Sequence, residues 1–125
     1  MNMKKEKKIN IFLSGPMTGL PEFNHPAFNA AAKKLRANGH VVWNPAEIRN
    51  GDTSQTEQFY MRVNLYELTK PSGTPGAGTY YDAVVRLPHW MLSNNSKLEI
   101  LVGMALGLEI HDEKTFGTIK DNKNG

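Results

Sequence analysis

Short apolar runs alternate with helix-period segments from Ile9 to His111, and that alternation limits the architecture more than any single residue does. Ile9 to Leu13 is interrupted only by Asn10, as expected for a strand buried on both faces. A loop, Ser14 to His25, follows with two glycines and two prolines. Pro26 then suits the first turn of a helix, where its missing N–H costs nothing. Phe28, Ala31, Ala32 and Leu35 continue that helix at the right spacing, and Asn38-Gly39 stops it. His40 to Asn44 is a second strand. Ser54 and Glu57 form a capping box that opens a helix through Phe59, Met61, Leu65 and Leu68, ending before Pro71. Pro71 to Gly78 is a loop rich in Gly, Pro, Ser and Thr. Asp82 to Leu87 is a third strand, Asn95 to Leu106 a third helix, and Leu108 to His111 a fourth strand. Leu98, Leu101, Val102 and Ala105 give the third helix its apolar stripe. The pattern predicts an α/β fold: a flavodoxin- or Rossmann-like open parallel sheet of four to five strands with helices on both faces.

Such a sheet binds ligands beyond the carboxyl ends of its strands. The loops after Leu13, Asn44 and Leu87 should therefore surround one crevice, with the domain over 9–111 and a polar tail over 112–125. Four of the fifteen basic residues, Lys4, Lys5, Lys7 and Lys8, precede the first strand, so the excess charge of +3 belongs to a solvated, frayed terminus over 1–8 rather than to a nucleic-acid surface. Aromatic residues are not interleaved with Lys or Arg, and no nucleic-acid polymer is expected as a partner. No apolar run approaches the roughly 20 residues of a membrane span, nor does the start read as a signal peptide. Together with the absence of cysteine, this gives a cytoplasmic expectation without a membrane partner. His25, His40, His89 and His111 are scattered without ligand spacing, so no metal and no other cofactor is expected. No Gly-x-Ser-x-Gly elbow supports serine hydrolase chemistry.

Two segments could carry chemistry. Ser14-Gly15-Pro16-Met17-Thr18-Gly19 leaves the first strand and could cradle an anion with its N–H groups, although such composition is more often a plain turn. Ser93 to Glu99 places small hydroxyl and amide residues at a helix start, where free N–H groups favour an anion, with Glu99 about one turn in. The plainer reading makes Ser93 or Asn95 the cap and Glu99 a partner of the helix dipole. Asp82, at the opposite strand ends, is structural. On pattern alone Arg62 and Asn64 face solvent.

The ordered set Ile11 to Gly19, Asn24 to Asn29, Gly39 to Glu47, Tyr60 to Leu65, Asp82 to Trp90 and Ser93 to Gly107 resembles the nucleoside 2-deoxyribosyltransferase-like superfamily, in its small bacterial and phage branch. The resemblance implies breakage or exchange of an N-glycosidic bond in a deoxynucleoside or its 5'-monophosphate. It implies Glu99 as the nucleophile, six residues beyond Ser93 on the phosphate side. Asn95 stands where the family has glycine. Ser14, Gly15, Met17, Thr18 and Gly19 would line the sugar and phosphate side, with Asn44 at the second strand end. Asn64 replaces the aspartate of an Arg-x-Asp-Leu pattern; it can hydrogen-bond a base but cannot protonate one. The family implies a nucleoside or nucleotide as ligand and a homo-oligomer. A binding module of the same fold, with weakened chemistry, is the alternative. Pro75 to Asp82 only faintly resembles the phosphate loop of cytokinin-activating phosphoribohydrolases.

Overall fold

The computed structural model describes residues 7–74, 76 and 78–117. Lys4, Lys5 and the tail beyond Gly117 lie outside the described residues. Four strands, β1 (Asn10–Ser14), β2 (Val41–Trp43), β3 (Ala83–Arg86) and β4 (Glu109–Asp112), form one open sheet in the order β2-β1-β3-β4. Every pairing is parallel, with Ile11 opposite Val42 and Ala83, and Val84 opposite Ile110. The three main helices are α1 (His25–Ala37), α2 (Glu57–Leu68) and α3 (Asn94–Ala105).

Alternation along β1 divides the core in two. Ile11 and Leu13 pack with Phe28, Ala31, Ala32 and Leu35 of α1 on one face, while Phe12 packs with Leu68 and Ile100 on the other. Both faces of the sheet are thus covered, as the run Ile9 to Leu13 implied. β2 leads from β1 to one side and β3 to the other, so the crevice falls at the carboxyl ends of β1 and β3. Two glycines allow the close approaches that build this end. A Cβ on Gly15 would stand 2.9 Å from Leu87 Cβ, and one on Gly103 2.9 Å from Val84 Cγ2. The first loop therefore rests directly against the exit of β3, and α3 lies close on the sheet.

Three local expectations change. The cap of α2 is Thr56, whose Oγ1 accepts from the Phe59 N–H at 3.0 Å; Ser54 instead donates its backbone N–H to Asp52. Thr56 and Phe59 provide the N-cap to N3 spacing, so Glu57 is the first helical residue and no capping box forms. The buried face of α3 is Ser96, Glu99, Ile100 and Gly103, not the leucine stripe: Leu101 is 61% exposed and Leu98 41%. Polar and small residues can occupy that face because Ser96 and Glu99 meet Ser14 there and Gly103 lies against the Val84 side chain, which an apolar-periodicity reading excludes. Asn64 is buried rather than solvent-facing. Pro71 and Thr79 form an isolated antiparallel bridge, which closes the expected loop at its base.

Candidate functional site

The site is assembled from the ends of β1 and β3 and the helices that follow. β3 gives way to Leu87, Pro88 and a short 3₁₀ turn over Trp90–Leu92, after which Ser93 caps α3 by accepting the Ser96 N–H at 3.0 Å. Glu99, one turn further on, is turned inward and is only 4% exposed. The Ser14 hydroxyl, at the end of β1, donates to Glu99 Oε1 at 2.7 Å and lies 2.7 Å from the Ser96 hydroxyl. Ser14 and Ser96 are fully buried. Burial pushes the Glu99 carboxyl up to about 7, against the opposing pull of the Ser14 hydrogen bond.

Glu99 shares the wall of an inner cavity of about 40 Å³ with Gly15, Met17, Thr18, Ser93, Asn95 and Asn64. A groove of about 680 Å³ adjoins it, sharing Met17, Thr18, Glu57, Ser93 and Asn95. The loop holding Met17 and Thr18 is tied back by Asn24, whose side-chain amide donates to the Pro16 carbonyl at 2.9 Å. Consecutive left-handed residues, Glu22, Phe23 and Asn24 (φ 53°, 53° and 59°), turn the chain into α1 and bring Phe23 onto the cavity wall.

Seven of the ten residues singled out from the sequence therefore meet at the inner cavity. Ser14 lies behind Glu99 as its hydrogen-bond donor. Gly19 and Asn44 are not on the wall of either space. Gly19 supplies a turn at φ +86°. The Asn44 side chain accepts from the Ala46 N–H and donates to Asn29, fixing the exit of β2. Asn64 accepts at Oδ1 from the Trp43 indole N–H at 2.9 Å. Among the described residues the amide of Asn64 has no other partner, so its NH₂ can serve a ligand.

Four ionisable wall residues are not singled out as site residues by the sequence pattern: His25, Asp52, Glu57 and Tyr60. Glu57, Tyr60 and Asn64 lie at i, i+3 and i+7 on one face of α2, a spacing visible in the sequence once Asn64 is placed inward. Asp52 gave no such signal, because an irregular segment containing left-handed Arg49 and Asn50 positions it. The Ser54 backbone N–H, reinforced by the Ser54 and Gln55 side chains, holds the Asp52 carboxyl well below the usual carboxylate range.

Fold and site together define an open-sheet α/β domain with a buried carboxylate presented to a cavity at its topological switch point. Residues 9–112 match the family described as Domain of unknown function (DUF4406), and the chain belongs to that family. No curated protein matches the sequence. Among the described residues, no helix is long and apolar enough to cross a membrane.

Proposed function

We propose that the chain is an N-glycosidase or deoxyribosyltransferase that uses Glu99 to attack the anomeric carbon of a deoxynucleoside or deoxynucleoside 5'-monophosphate. The observation that carries this reading is the Glu99 carboxylate itself. One oxygen is anchored by Ser14, while Oε2 has no hydrogen-bond partner among the described residues, and Glu99 lines the cavity. In the first step Oε2 bonds to C1', the C1'–N bond breaks, and its electron pair leaves with the base. Water or a second base then attacks C1' from the face the first base left; the C1'–Oε2 bond breaks, the attacker's proton passes to the departed base or to solvent, and the carboxylate is regenerated with overall retention. The oxocarbenium-like transition state explains the need for a carboxylate. The sugar would reach the inner cavity while the base or a second group occupies the adjoining groove.

Glu99, Asp52 and Glu57 line the inner cavity, and no lysine or arginine does so among the described residues. That electrostatic character favours the nucleoside over its monophosphate. A bound phosphate would have to rest on Ser93, Asn95 and backbone N–H groups. The test is a panel of deoxynucleosides and their 5'-monophosphates, with free base followed by chromatography. Release from at least one member is expected; binding without release over the whole panel would leave only the weaker nucleotide-binding module.

Asn64 favours that second reading, since an amide cannot deliver a proton to the departing base. Asn64→Asp is expected to raise turnover roughly 10-fold or more, because Trp43 can still donate to the new carboxylate and fix it. A fall in turnover would mean that the amide has its own role in holding the base. The chain is further proposed to work as a homo-oligomer. Tyr66, Leu92, Leu101 and Met104 are each more than half exposed, which is a large apolar allotment for the outer side of α2, α3 and the 3₁₀ turn before α3. Light scattering should give a dimer mass or higher; a monomer at micromolar concentration would contradict this.

A further inference from the structure

The Ser14 hydroxyl occupies a position that neither packing nor capping requires. It ends β1, is fully buried, and spends its one proton on Glu99 Oε1 at 2.7 Å. When Glu99 is ionised that proton has no other use. The 2.7 Å contact between the two serine hydroxyls can then be satisfied only if Ser96 donates to Ser14. Proton counting thus gives the pair a direction, from Ser96 to Ser14 to Glu99. Among the described residues the Ser96 hydroxyl has no other hydrogen-bond partner, and Ser14 lines neither the inner cavity nor the adjoining groove.

We propose that Ser96 and Ser14 form a directed hydroxyl relay that positions Glu99, holding Oε1 at the end of β1 so that Oε2 alone faces the cavity. The proposal rests on Glu99 being the reactive carboxylate, and it makes Ser14 and Ser96 positioning residues rather than catalytic ones. Hydrogen bonds in a chain polarise one another, so Ser96 strengthens the Ser14 donor without a hydrogen bond of its own to Glu99. The relay also opposes burial. It favours the ionised carboxylate, which the apolar surroundings disfavour. The other ionisable groups on the cavity wall are His25 from α1, Asp52 from the segment before α2, and Glu57 and Tyr60 from α2. None of them is a relay member, and none is altered in the relay variants.

The relay can be read without substrate. In protein carrying ¹³C-labelled glutamate side chains, the Glu99 carboxyl resonance is assigned by its loss in Glu99→Gln and then titrated. Ser14→Ala should move the Glu99 midpoint upward by roughly one to two pH units, as expected for losing a hydrogen bond to a charged group. Ser96→Ala should move it the same way by less. The double variant should match Ser14→Ala alone, because Ser96 acts only through Ser14. In the base-release assay, Ser14→Ala should lower kcat roughly 10- to 100-fold at unchanged KM, with the pH profile displaced upward. Should Ser14→Ala fail to fold, Ser14→Cys keeps the volume with a weaker donor, and a smaller upward displacement is expected. An unmoved midpoint in whichever Ser14 variant folds overturns the relay. Equal and additive effects of the two serines would overturn its direction. Lack of base release by the unaltered protein, with the titration displacements present, would instead count against the glycosidase reading alone.

Discussion

Glu99→Ala should reduce base release by at least about 10³-fold, the scale on which loss of a covalent nucleophile is felt. No neighbouring group can take over. Asp52 is committed to the Ser54 N–H and to Gln55 and Arg49, and Glu57 sits at the start of α2 rather than beside Ser14. The wild-type rate should rise with pH through about 7, the region in which the Glu99 carboxyl ionises. Ala leaves no such limb in whatever rate persists. A variant that keeps the wild-type rate would remove Glu99 from the reaction and, with it, the proposed chemistry. Glu99→Gln separates charge from shape: it should be as inactive as Ala while still binding the substrate.

The second large effect concerns stability, and its direction follows from proton binding. Folded Glu99 ionises at about 7 against an ordinary 4.5, so between these values the folded chain holds a proton that the unfolded chain has lost. The folded-state advantage is full below about pH 4.5 and declines as pH rises toward 7. By pH 8 the loss is about 3 kcal/mol. Glu99→Gln is uncharged throughout and keeps an oxygen for the Ser14 hydroxyl. It should therefore match the wild type near pH 4 and exceed it by about 3 kcal/mol at pH 8, roughly 10 °C in Tm. Thermal melts at the two pH values check this, and an equal gap at both would show that the carboxyl is not titrating within the fold. A buried charge that lowers stability where the protein works is the usual trade between activity and stability.

The sheet was legible because β1 and β3 are continuous apolar runs and the turns after them carry Gly, Pro and Asn. The observed strands differ from the expected ones by one residue at each end. α1 was equally clear, since Phe28, Ala31, Ala32 and Leu35 all meet the sheet. α3 is rotated from the orientation its leucines imply: they mimic a core stripe, but the face that packs inward carries Ser96, Glu99 and Gly103. Apolar periodicity finds a buried face only when that face is apolar, and a site helix violates this condition. The same limit hid the inward turn of Asn64, which only the family resemblance pointed to. Spacing from Ser93 to Glu99 points to a crevice carboxylate, yet nothing local marks Ser96, because its partner Ser14 is remote in sequence. His25 and Asp52 came to the wall through left-handed backbone turns at Glu22 to Asn24 and at Arg49 and Asn50. Non-glycine residues rarely adopt that geometry, so nothing in their identity announced it.

The hydroxyl and the acid it grips are separated by 85 residues of chain, and everything between them must be folded for the two to meet. A clipped polypeptide, or one still emerging from the ribosome, carries each part without the other. Whatever reactivity the domain possesses is therefore gated by completion of the tertiary structure, and no isolated fragment spanning only one end of it should show any.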